Sequence, residues 1–158
     1  LREFKSGELY AHVLKEEGFE VEHPFCGIET AFRASYGSGK PVIGILAEYD
    51  ALTGLSQVAG QQSREELVSN GNGHGCGHNL LGAGSMAAAF AIKHYLEEKG
   101  EGSGKVILYG CPGEEGAATK PSWPGTAYLR NATRPSPGIR EQKTRYLRYL
   151  QYLHPDRV

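Results

Sequence analysis

The sequence predicts an α/β domain, a central sheet flanked by helices, and three observations predict it. Pro41 to Ala47 is a continuous apolar run of the kind expected from a strand buried on both faces. Lys105 to Cys111 is a second such run, and between them Asn79 to about Lys99 reads as a helix. Strand, crossover helix and strand in that order form a βαβ unit. With 158 residues and 39% apolar content, the chain is long enough for one domain with a real core.

Residues 3–17 place Phe4, Leu9, Val13 and Leu14 near helical spacing with charges between them, and Gly18 supplies a stop. This is an amphipathic helix, expected to be cut short at its start, since the chain opens on Leu1 rather than Met. Phe19, Val21, His23 and Phe25 then alternate with polar residues, as do Phe32, Ala34 and Tyr36. Two half-exposed strands fit, the first an edge because it carries Pro24. His12 and His23 lie within these patterned elements and are assigned structural or surface roles.

Gly37-Ser38-Gly39 turns the chain into the first apolar run, which Glu48-Tyr49-Asp50 closes. Ligands of open α/β sheets bind at the carboxyl ends of strands, so Asp50 is either a site residue or a cap of the following turn. Residues 51–75 read as a loop with a hint of a helical turn from Arg64 to Val68, and a loop this long is usually functional. Asn79 is a good N-cap for the helix that follows, whose first half is apolar or small all round and should be buried against the sheet. His94 falls in its polar second half. After the turn at 101–104, the second apolar strand leads to Glu114-Glu115.

The formal net charge of −1 provides no overall footprint for nucleic acid or an anionic membrane. Its distribution is uneven. Residues 1–116 hold 16 acidic and 9 basic residues, against 2 and 8 in residues 117–158. Five of the eight prolines also lie after position 120, and no apolar period survives there until Tyr146 to Leu153, a basic, tyrosine-rich stretch that could form a helix. Three widely spaced cysteines make no disulfide framework, which points to a reducing, cytoplasmic setting with thiols free for metal or catalysis. No secretory signal opens the chain, and its longest apolar run, Leu80 to Ile92, is too short to span a bilayer.

The chemistry concentrates in Gly71-Asn72-Gly73-His74-Gly75-Cys76-Gly77-His78-Asn79. In an extended segment alternate side chains share a side, so Cys76 and His78 can point at one place across Gly77. A thiolate and a neutral imidazole are strong ligands for zinc and similar ions. The loop feeds a helix N-terminus, whose partial positive charge should favour thiolate over thiol. His74 suits an outer position. Alternation argues the opposite way for Glu114 and Glu115: adjacent carboxylates diverge, so one can bind a metal while its neighbour reaches an attacking water. A dinucleotide fingerprint needs its glycines directly after a strand, which these are not, and a P-loop motif is absent. Cys76 as a nucleophile paired with His74 or His78 is a further reading, which leaves the glutamates without a role.

Ala47-Glu48-Tyr49-Asp50-Ala51-Leu52, Gly73 to Gly82 and Cys111-Pro112-Gly113-Glu114-Glu115-Gly116, in that order, resemble the M20 metallopeptidase family, specifically its amidohydrolase branch. The resemblance covers roughly residues 1–117. It implies an incomplete zinc-peptidase-like catalytic domain with a central mixed sheet. It makes Cys76, His78 and Glu115 metal ligands and Glu114 the general base, with Asp50 at the family's acidic position near the site. Many members carry a histidine ligand two positions before that acid; Glu48 stands there, and Cys76 brings the thiolate typical of the branch. The implied cofactors are two divalent ions, zinc or manganese. The implied substrates are N-acyl amino acids, aminobenzoyl-glutamate or small dipeptides, with no nucleic acid and no membrane as partner.

Family members continue with further ligand histidines and a lid domain that often mediates homodimerisation, and none of these can be placed here. Residues 118–158 therefore read as a divergent, irregular basic tail, out of frame or disordered, and the chain as it stands is expected to show little turnover. The alternative is a non-catalytic metal-binding or interaction fragment with a basic tail.

Overall fold

In the computed structural model the described residues are 2–117, so the tail at 118–158 and its basic stretch at 146–153 lie outside them. The elements are α1 (Phe4–Glu16), β1 (Glu20–Glu22), β2 (Phe32–Gly39), β3 (Val42–Glu48), α2 (His78–Lys99), β4 (Ser103–Cys111) and α3 (Glu114–Ala117). The described strands form one mixed sheet in the order β1-β2-β4-β3. The pairs β1–β2 and β2–β4 are antiparallel, and β3–β4 is parallel, joined by α2 as the predicted crossover.

α1 covers the predicted amphipathic stretch, but Phe4 and Leu9 of its expected apolar face are 46% and 62% exposed. Gly7, Ala11 and Leu14 form its buried stripe, while His12 stays exposed and pairs with Glu16 one turn on, at 3.4 Å. β1 is an edge of the described sheet, as expected, but it is three residues long. β2 runs past its predicted end to Gly39. Gly37 and Gly39 take positive φ of 83° and 94° there, and a Cβ on Gly37 would run into the Gly104 carbonyl, so glycine lets the strand continue where a turn was expected.

The loop hint at Arg64 to Val68 does not become a helical turn. Val58 donates to the Glu65 carbonyl at 2.8 Å, Val68 donates to Ser56 Oγ at 3.0 Å, and Arg64 pairs with Glu66 at 2.8 Å, which holds the segment as irregular chain. Leu52 and Gly73 exchange backbone hydrogen bonds of 2.9 Å, so residues 52–73 are pinched closed at their base.

Two further burial expectations are corrected. β3 is half exposed, with Ile43 39% accessible, because it is the outer strand of the described sheet. α2 buries one face through Gly82, Ala89 and Leu96, at seven-residue spacing, while Leu80 is 75% exposed. The helix also starts one residue early. Gly77, with φ of 79°, occupies the N-cap, and Asn79 lies inside the first turn.

The core lies between this sheet and its helices, with Leu14, Phe32, Ala47, Ala89, Val106 and Leu108 at its centre. Each large aliphatic side chain removed from water there contributes about 2 kcal/mol. Tyr10, Phe32 and Tyr49 stack with centroid separations of 5.2–6.0 Å, linking α1 to β2 and to the end of β3.

Gly82 brings α2 directly onto the end of β3: a Cβ there would lie 2.7 Å from the Glu48 carbonyl oxygen. Gly82→Val should therefore lower the unfolding free energy by about 1–3 kcal/mol, read from urea denaturation. Cys111 is buried, and burial pushes its thiol up to about 12. A raised pKa favours the protonated thiol in the fold, so its stabilising contribution is complete below the unfolded thiol's value and is lost as pH rises from about 9 toward 12. At neutral pH, alkylation followed by mass spectrometry should modify the exposed Cys26 and Cys76 well before Cys111, which should react only on unfolding.

Candidate metal centre

The parallel register of β3 and β4 pairs Glu48 with Cys111, so both strands end at the same edge of the sheet. From β3 the chain continues into Tyr49 and Asp50; from β4 it turns at Pro112 and Gly113, where φ is 69°, into Glu114 and Glu115. The pinched loop returns to this edge through Cys76 and Gly77 and delivers His78 as the first residue of α2. Tyr49 donates from its hydroxyl to the Thr30 carbonyl at 2.5 Å, which anchors the end of β3 with its ring in the aromatic stack. Ser85 Oγ donates to the Leu46 carbonyl at 2.8 Å and ties α2 to the same strand.

These elements converge on one buried imidazole. His78 is 3% exposed, and Asp50 beside it is 4% exposed. His78 Nδ1 lies 2.7 Å from Asp50 Oδ1, and Asp50 Oδ2 accepts the backbone N–H of Glu115 at 2.9 Å. One carboxylate thus orients the ring and fixes the start of the glutamate pair. The other ring nitrogen, Nε2, lies 3.3 Å from Glu48 Oε2 and 4.0 Å from Glu115 Oε1.

Around His78 the described residues form two donor groups, Cys76–His78–Glu115 and Glu48–His78–Glu114, the ligand atoms of each lying within 4.8 Å of one another. Five of the residues singled out from the sequence are therefore brought to one place. Cys76, His78 and Glu115 form one group, Glu114 enters the other, and Asp50 backs the imidazole from behind. His74 is exposed and belongs to neither group. Glu48 is the donor that received no role from the sequence, although it stands where many members of the family carry a histidine ligand. The signal was available, since Glu48 and Asp50 are two positions apart on an extended segment, the same alternation that relates Cys76 to His78.

The electrostatics are those of crowded carboxylates. For His78, burial acts most strongly and lowers its pKa, but the Asp50 hydrogen bond and the charges of Asp50, Glu48 and Glu114 together outweigh it, and the net direction is upward. Glu48 is raised by burial first and then by Glu114. Cys76 is also raised, first by its hydrogen bond to Glu115 and then by burial and the neighbouring acids. This overturns the expectation that the helix N-terminus would favour thiolate: full carboxylate charges at contact distance outweigh a partial dipole charge. Each group, an imidazole nitrogen with a thiol and a carboxylate or with two carboxylates, is a donor set that fits a divalent cation such as zinc.

Comparison with known proteins agrees with the geometry. The sequence pattern of peptidase family M20/M25/M40 matches residues 44–150. The chain is 53% identical over 118 residues to a subunit of the p-aminobenzoyl-glutamate hydrolase of Escherichia coli K12, covering 75% of this chain and 24% of that protein. It is 33% identical over 105 residues to Xaa-Arg dipeptidase of Mus musculus, covering 61% of this chain and 20% of that protein. The chain thus spans about a quarter or less of the length of these relatives. The fold resembles the crystal structure of Bacillus subtilis YXEP protein, a dinuclear metal binding peptidase from M20 family, with a TM-score of 0.56 and 24% identity over 72% of this chain and 30% of that one. With its strand ends, glycine-rich loop and paired glutamates assembled around one imidazole, this chain belongs to peptidase family M20/M25/M40.

Proposed function

We propose that the centre around His78 serves metal-dependent hydrolysis of the amide bond in N-acyl amino acids, aminobenzoyl-glutamate or small dipeptides. The observation that carries this reading is the buried imidazole of His78, oriented at 2.7 Å by Asp50 and faced by a thiol and three carboxylates. Cys76, His78 and Glu115 would hold metal, in a centre of two divalent ions, zinc or manganese. Bound ions supply Lewis acidity toward the amide carbonyl. Glu114 takes the proton of the attacking water and passes it to the departing amine. Asp50 is a positioning residue: its hydrogen bond to Nδ1 keeps Nε2 directed at the donor groups.

Three ligands are half of the roughly six that two catalytic ions with three protein ligands each would take, so the described residues alone should bind metal without efficient turnover. Equilibrium dialysis of the full chain against zinc or manganese tests the reading, with hydrolysis of p-aminobenzoyl-glutamate followed in parallel. Bound metal should be lost in Cys76→Ala and retained in Glu114→Gln, with hydrolysis by the unmodified chain near background. Any hydrolysis above background should fall about 10²–10⁴-fold in Glu114→Gln. Equal metal content in the chain and in Cys76→Ala would overturn the ligand assignment, and loss of metal in Glu114→Gln would overturn the role given to that residue.

The metal-free chain should also report Asp50 through pH. Because the pKa of His78 is raised, its stabilising contribution is complete below the ordinary histidine value near 6.5 and is lost as pH rises through the raised value. Thermal melts in the presence of a chelator should show stability falling from about pH 6 upward. Asp50→Asn should flatten that slope and weaken metal binding by about 10–100-fold.

A further inference from the structure

The donor residues named above leave one carboxylate at the centre unexplained. Glu48 ends β3 with its backbone paired to β4 at Cys111 and covered by α2 at Gly82, so the base of its side chain is fixed from two sides. It is partly buried, and its ion-pair partner among the described residues is His78.

Asp50 occupies Nδ1 of His78, which leaves Nε2 as the ring nitrogen able to bind an ion. Two donors bound at about 2.0–2.2 Å around a tetrahedral ion stand about 3.3–3.6 Å apart. Glu48 Oε2 and His78 Nε2 are 3.3 Å apart, inside that range, whereas Glu115 Oε1 and Nε2 are 4.0 Å apart, outside it. Glu48 and Cys76 fall in different donor groups, and His78 is the residue the two groups share.

We propose that the carboxylate of Glu48 is itself a ligand of the ion that His78 Nε2 binds. This rests on the reading of the site as a metal centre and adds to it a ligand from the end of β3. Glu114 keeps its role in proton transfer, and the ion held by His78 gains a donor from the end of β3.

The test uses cobalt(II), whose visible absorption reports coordination number and whose near-ultraviolet band reports thiolate ligation. The full chain, Glu48→Gln, Glu48→Asp and Cys76→Ser are titrated with cobalt and compared at saturation, with circular dichroism of the metal-free forms confirming that each is folded. Glu48→Gln should weaken binding by about 100-fold or more, beyond the 10–100-fold usual for a residue that only orients a ligand. At saturation its visible bands should weaken as water replaces the carboxylate, while the thiolate band persists. Glu48→Asp, which keeps a carboxylate, should bind more tightly than Glu48→Gln. A Glu48→Gln spectrum superimposable on the unmodified one, with affinity reduced less than about tenfold, overturns the assignment of Glu48 and leaves the metal centre standing. A chain that takes up no cobalt, or whose thiolate band survives in Cys76→Ser, overturns the underlying reading and this assignment with it.

Discussion

The interaction on which the centre depends is the 2.7 Å hydrogen bond between Asp50 and His78. Both groups are almost fully buried, and a buried polar pair is tolerable only when each finds its partner. Asp50 meets that condition with both oxygens, one on the imidazole and one on the backbone of Glu115. The same carboxylate therefore sets the tautomer of the ring and the point at which the glutamates enter. Asp50 is held in turn by the strand before it, through the hydroxyl of Tyr49 on Thr30 and the aromatic stack beneath. Packing in the core is thus transmitted to the chemistry through a single residue.

The close approach of α2 to the sheet is the second constraint. Gly82 and Ala89 keep the buried face of the helix flat enough to lie on β3 and β4, and Gly82 admits the Glu48 carbonyl where any side chain would collide. That proximity brings the N-terminus of the helix, and with it His78, to the ends of two parallel strands. The exposed Leu80 and the half-exposed β3 show the limit of this economy among the described residues: one face of each element is committed to the core.

Much of this was legible in the sequence, for identifiable reasons. The apolar runs at 41–47 and 105–111 announced strands because β-branched and aliphatic residues without turn formers have few other places to go. Cys76, His78, Glu114 and Glu115 announced themselves through residue type and position at strand and helix ends. What escaped was relational. That β3 lies at the outside of the described sheet depends on strand order, which local composition does not encode. That Asn79 would yield the N-cap to Gly77 depends on the left-handed turn the backbone makes at Gly77, which residue type alone does not announce. The protonation of Cys76 is misread from the sequence because the helix dipole is visible in one segment, whereas the opposing acids come from others.

One consequence follows from the way β3 ends. Glu48 and Asp50 reach the centre because they share parity along an extended backbone, with Tyr49 between them turned toward the aromatic stack. Sliding this strand by a single residue against β4 would exchange the two classes, carrying a phenol into the charged centre and two carboxylates into the hydrophobic interior. Core and centre thus check one another's alignment: a frame that satisfies the apolar side of the strand is also the frame that completes the acidic side, and an error in either is penalised by both.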